Sequence, residues 1–182
     1  MASFVERVVG AARLDAKVYE EVEADPTAMG QAIAVVAASA LAAGVGSIGG
    51  GATGAVAAVV SGIVGWFLWA VVTWLIGTKL LPEAGTRADL GQMLRTIGFS
   101  AAPGLLNVLG IVPLLGLLAW VVAAVWQLVA MVVAVRQALD YTSTGRAIAV
   151  CAIGWVIALG VALITAFFLG ATVAILGTAL GT

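Results

Sequence analysis

The chain has 182 residues, 63% of them hydrophobic and 9% charged, with a mean hydropathy of +1.19. A soluble domain needs a charged surface, so this composition points to the membrane and to one compact helical bundle. The net charge of −1 gives no global field to steer nucleic acid, and none is expected as a partner. The absence of histidine excludes a His general base, a Ser-His-Asp triad and His-ligated metal or haem. The single cysteine, Cys151, excludes an intrachain disulfide and multi-cysteine zinc sites.

From Ala2 to about Glu21, Phe4, Val5, Val8, Val9, Ala12 and Leu14 recur at helical spacing, while Glu6, Arg7, Arg13, Asp15 and Lys17 fall mostly elsewhere. The pattern predicts a short amphipathic helix lying at the membrane interface or under the bundle. Glu20, Glu21, Glu23 and Asp25 then form an acidic cluster. Asp25 followed by Pro26 reads as a helix start, with Asp capping the free amides and Pro at the first helical position. The chain thus divides into a 1–25 interfacial and acidic segment and a 26–182 membrane domain. The first apolar run begins behind acidic residues, so no cleavable signal peptide is expected and the first span directs insertion.

Span one is predicted over Ala28–Val45, followed by a glycine-rich outer turn from Gly46 to Gly54. That turn matches no phosphate loop, since no Gly-Lys-Ser/Thr follows. Span two covers Ala55 to about Leu81 and stops at Pro82. Thr86-Arg87-Ala88-Asp89 resembles a capping box, predicting an inner helix from about Arg87. Span three, Thr96–Val112, is short and holds Gly98, Pro103, Gly104, Asn107 and Gly110, consistent with a kinked crossing or a re-entrant segment. Pro113 opens span four, which runs to about Val135. Span five runs from Ala147 to about Leu176, longer than one bilayer requires.

Charge orients these spans. All eight basic residues fall on one side if five spans are counted: Arg7, Arg13 and Lys17 before span one, Lys79, Arg87 and Arg95 between spans two and three, Arg136 and Arg146 between spans four and five. Cytoplasmic loops retain Lys and Arg, so the N-terminus is expected inside and the C-terminus outside. A third span that failed to cross would put Arg136 and Arg146 outside, which favours a full crossing.

Small residues recur every fourth position on span one (Gly30, Ala34, Ala38, Ala42, Gly46) and span five (Gly154, Ala158, Ala162, Ala166, Gly170, Ala174). Such ridges let helix backbones approach in lipid, either within the monomer or in a homo-oligomer. Arg136 and Asp140 lie one helical turn apart and are expected to share a face. Arg95 needs an anionic partner, from Asp140 or the Glu20–Asp25 cluster. Tyr19, Glu20, Glu23, Asp25, Arg95, Arg136 and Asp140 together form a candidate inner docking face. Trp66 and Trp69 are three apart and could share a face, by default for lipid or core packing and alternatively for a hydrophobic groove. No acid or base lies deep in a span, which argues against a proton-coupled pump. Pro103 and Asn107 mark a kink or pore candidate. No catalytic set, metal site or cofactor site is expected.

The chain resembles the Yip family of five-span membrane proteins, named for eukaryotic members that bind Ypt/Rab GTPases. The resemblance rests on Val18-Tyr19-Glu20-Glu21-Val22-Glu23-Ala24-Asp25, on Leu94-Arg95-Thr96-Ile97-Gly98-Phe99 with Ala102-Pro103, on Ile111-Val112-Pro113, on Trp126-Gln127-Leu128, and on Val135-Arg136-Gln137-Ala138-Leu139-Asp140. It implies an all-α bundle of five transmembrane helices with a cytoplasmic N-terminus. In eukaryotic relatives it implies secretory-pathway trafficking, membrane shaping and Rab binding. The short N-terminal region and the Ala/Gly/Val-rich composition resemble prokaryotic members, which places the chain in a cytoplasmic membrane and implies no Rab.

The expected function is a non-enzymatic membrane scaffold that docks a membrane or cytoplasmic protein, a lipid or a second copy at its inner face. The alternatives are a small-solute or lipid transporter or channel, and an accessory subunit of a larger complex. The topology is directly testable: a phosphatase active only outside the cytoplasm should be active when fused after Thr182 and inactive when fused after Asp140. The reverse pattern would invert the charge-based orientation.

Overall fold

The computed structural model describes residues 2–46, 51–112 and 115–180, and the surroundings of side chains as far as Phe168. The expected turn residues 47–50, Pro113, and the packing of Gly170 and Ala174 lie outside that description. Helix α1 spans Phe4–Ala12 and α2 spans Ala16–Ala24; a 3-10 turn over Pro26–Ala28 leads into α3, Met29–Gly46. Helix α4, Gly51–Leu75, ends in a π turn over Ile76–Leu80. Helix α5, Leu90–Phe99, gives way to a 3-10 segment over Ala102–Ile111, and α6, Leu115–Ala138, and α7, Thr144–Leu180, complete the chain. The fold is all-helical, with no strand among the described residues. Five stretches are long and apolar enough to cross a membrane: Pro26–Gly46, Val56–Leu80, Leu90–Ile111, Leu115–Ala138 and Thr144–Phe168.

The N-terminal segment is two helices, not the single helix expected from its periodicity. The chain reverses at Leu14, whose φ is +63°, and Asp15 caps the second helix by accepting from the Lys17 amide. Gly10 permits the fold-back, since a Cβ there would stand 2.5 Å from Val18 Cγ2. Ser3 and Glu6 form a capping box at the start of α1. Phe4, Val5 and Val9 remain exposed on α1, as an interfacial helix requires.

The inner helix before span three also starts later than expected. Thr86 does not cap it; its Oγ1 accepts from the Glu83 amide and closes the preceding turn. Asp89 and Gln92 form the capping box instead, so α5 begins at Leu90. Asp25 caps as expected, accepting from both the amide and the hydroxyl of Thr27.

Span three is the hub. Half of it is buried, against 28% or less of each other span. Its glycines and Pro103 do not stop it; its second half continues as a 3-10 helix. A 3-10 helix rises about 2.0 Å per residue against 1.5 Å for an α-helix, so the short segment gains length. The 3-10 segment packs between α3 and α6. Gly46 and Gly110 let backbones touch there: a Cβ on Gly46 would fall 2.0 Å from the Asn107 carbonyl oxygen. In lipid, where apolar burial gains little, such close approach is a main source of helix association. Gly46→Val should therefore destabilise the protein by about 3 kcal/mol, the upper range for overpacking. Gly30→Ala, whose Cβ meets nothing within 4 Å, should leave thermal unfolding in detergent unchanged.

Candidate docking face

The loops that carry the cations meet in one layer at one end of the bundle. Helix α1 bonds to α6, helix α2 to α5 and α6, and the loop between α4 and α5 to the α6–α7 loop and the first turn of α7. Gln92 Nε2 donates to Glu23 Oε1 at 2.9 Å, and Gln137 Nε2 to Glu20 Oε1 at 3.4 Å. Glu83 Oε2 accepts from the amide and hydroxyl of Thr142, and Arg146 Nη1 donates to the Pro82 carbonyl. Trp126 Nε1 on α6 donates to the Ala12 carbonyl at 2.7 Å, and Trp74 Nε1 to the Ala88 carbonyl at 2.9 Å. Tyr141 reaches back to α4, its hydroxyl donating to the Gly77 or the Leu81 carbonyl.

Several residues expected on the docking face are structural. Tyr19 is fully buried and its hydroxyl donates to the Ala11 carbonyl across the α1–α2 turn. Burial raises its pKa above the ordinary phenol value. Asp25 is buried and accepts from Arg7 at 2.8 Å. Arg7 itself, 2% exposed, also meets Glu21 at 2.8 Å and the Gln31 side-chain oxygen at 3.1 Å. The Thr27 hydroxyl, the Arg7 guanidinium and the Thr27 amide hold the Asp25 carboxyl below its ordinary value; Arg7, followed by the Ala2 amide, does the same for Glu21. The periodicity placed Arg7 on a solvated face, and only the fold-back of α2 reveals it as the buried centre of the N-terminal layer.

Arg95, 7% exposed, finds its partner in the acidic segment, but in the backbone. Its Nε donates to the Val22 carbonyl at 3.0 Å and its Nη2 to the Glu23 carbonyl. Arg136 and Asp140 do not share a helical turn, because α6 ends at Ala138 and Asp140 turns left-handed with φ +52°. Arg136 instead braces the turn that follows the helix, donating to the Tyr141 and Thr142 carbonyls.

What remains open on this face is acidic. Glu20 and Asp140 are exposed and Glu23 is half-buried. The Glu23 carboxyl is pushed up to about 7 from an ordinary 4.5, first by burial, then by the charge of Asp140, with Glu20 and Asp89 adding and Arg95 opposing. Three carboxylates, Glu20, Asp89 and Asp140, from three separate segments therefore bear on Glu23. Among the described residues no group of three His, Cys, Asp or Glu side chains is arranged to hold a metal ion.

The small-residue ridges divide. Ala42 is buried in the bundle and Gly154 lies against the Trp69 ring. Ala34, Ala38, Ala162 and Ala166 are exposed, and Ala158 is half-buried. Pro103 is buried near the start of the 3-10 segment. Asn107 lies on that segment between α3 and α6, with its side-chain oxygen buried.

The raised pKa of Glu23 sets a pH dependence. A carboxyl with a raised folded-state pKa contributes stability that is complete below about 4.5 and lost as pH rises through about 7. The depressed groups Glu21 and Asp25 lose their contributions only as pH falls below the ordinary carboxylate range, outside this window. The protein should melt at higher temperature at pH 5 than at pH 8, and Glu23→Gln should flatten that difference. A wild-type difference unchanged in Glu23→Gln would assign the titration to another group. Separately, Arg95→Met removes two bonds to a charged donor, each worth about 1.5–3 kcal/mol, and should speed tryptic cleavage after Arg13 and Lys17.

The Yip1 domain family model matches residues 16–166, which takes in α2 and most of the membrane domain. No curated protein and no solved structure matches the chain. With five apolar spans, an all-helical bundle and this match across most of its length, the chain is a multi-pass integral membrane protein of the Yip family.

Proposed function

We propose that this protein is a non-enzymatic membrane scaffold, of the prokaryotic kind within its family, that docks a partner through the charged end of its bundle. The N-terminus and this end face the cytoplasm, by the distribution of Lys and Arg. The carrying observation is the convergence of Glu20, Glu23, Asp89 and Asp140 from three segments, where the Glu23 pKa is raised to about 7 first by burial and then by the charges of the other three. Like charges held together by a rigid layer are relieved by a cation from outside. The partner this fits is a basic segment of another protein. Tyr19, Asp25, Arg95 and Arg136 serve by fixing the layer, and Glu20, Glu23 and Asp140 by presenting charge.

Photo-cross-linkers placed at Glu20 and Asp140 in native membranes test this reading, with Leu117, exposed on α6, as the lipid-facing control. A discrete protein adduct is expected from the first two positions and not from Leu117. It should weaken at high salt, because exposed charges are screened within about 10 Å at 0.1 M. Adducts equal at all three positions, or indifferent to salt, would overturn the electrostatic docking.

A further inference from the structure

The bundle carries a half-open cavity of about 470 Å³ that the charged end does not use. Every spanning segment contributes to its wall, including Ser39 of α3, Trp66 and Trp69 of α4, Asn107 of the 3-10 segment, Gln127 of α6 and Trp155 of α7. The size falls within the range of small-molecule sites, roughly 300–1,000 Å³, and the lining has the usual form: mostly apolar, with a few polar groups. No charged residue lines it.

Two polar atoms on lining residues are buried with no hydrogen-bond partner among the described residues: Trp69 Nε1, a donor, and Asn107 Oδ1, an acceptor. The indoles of Trp66, Trp74 and Trp126 reach carbonyls, whereas that of Trp69 is buried without one. Unpaired buried polar groups are costly, and more so in lipid, where no water stands in. At the rim, Trp155 is 50% exposed and Gly65 is exposed, both on the outer surface of spanning helices. Entry is therefore from the hydrocarbon phase, not from water.

We propose that this cavity binds a neutral lipid carrying a free hydroxyl, of the diacylglycerol class. The uncharged wall disfavours a phosphate headgroup, since an ion without a counter-charge is expensive in this environment. The hydroxyl offers the donor that Asn107 lacks, and an ester carbonyl of the same lipid offers the acceptor that Trp69 lacks. The tryptophan wall, with the Trp69 and Trp155 rings 5.3 Å apart at 55°, packs the apolar body. This ligand is independent of the docking partner proposed above.

Native mass spectrometry of the purified protein, titrated with dioleoylglycerol, trioleoylglycerol or dioleoylphosphatidylglycerol, tests the assignment. Dioleoylglycerol should be retained at one per chain in preference to the other two. Gly65→Leu fills the cavity from a position where a Cβ meets nothing within 4 Å, and should abolish retention without lowering the melting temperature. Trp69→Phe and Asn107→Leu should each weaken it about tenfold, the equivalent of one hydrogen bond. Should Gly65→Leu fail to fold, these two variants decide. Equal retention of all three lipids, preference for the phospholipid, or retention unchanged by the variants would overturn the proposal.

Discussion

The guanidinium of Arg7 is the constraint on which the charged layer depends. It is buried, so it has little water to bond to, and its donors must find acceptors inside the fold. They find Glu21 and Asp25 at 2.8 Å and Gln31 at 3.1 Å. Those acceptors lie on α2, at the cap of span one and in its first turns. One cation thus fixes the angle between two surface helices and the first membrane crossing. Arg95 performs the same service from the other side, gripping the carbonyls of Val22 and Glu23 from span three. Between them the segment from Glu21 to Asp25 is held at both its side chains and its backbone.

With that segment fixed, the remaining acids are left where geometry puts them. Glu23 faces Asp140, Glu20 and Asp89 with Arg95 already engaged by carbonyls. The same layer that satisfies its cations therefore leaves a surplus of negative charge. Within the bundle the parallel case is neutral. A span that continues as a 3-10 helix, beside α3 and α6, leaves room for a cavity whose donor and acceptor do not meet partners. Stability and unfilled valence arise from the same packing in both places.

The five crossings were legible in the sequence because hydropathy and the placement of Lys and Arg both repeat on the scale of a whole span. The existence of α2 as a separate helix was not. Its break lies at Leu14, a residue type that ordinarily avoids positive φ, so no glycine signalled the turn. Periodicity likewise could not separate Arg7 from Arg13: both lie on the polar face of the pattern, yet one is buried and the other exposed. The polar residues of the charged end were legible as a group because they cluster by charge. Which of them hold the layer and which face outward depends on contacts such as Gln92 with Glu23, residues 69 apart in sequence, which no local pattern reports. Asn107 was visible as a polar residue in an apolar run, but its unpaired oxygen required the packing of three helices around it.

The bond from Trp126 to the Ala12 carbonyl joins residues 114 apart. A ribosome adding about 5–20 residues per second needs on the order of ten seconds to pass from one to the other. For that interval the two N-terminal helices can be tied to span one through Arg7 but not yet to span four. Phe4, Val5 and Val9 are meanwhile free to rest in the bilayer surface, a holding position that keeps apolar surface out of water. Assembly of this protein is thus ordered in time: the beginning of the chain meets span one early and closes onto span four only once that helix has been synthesised.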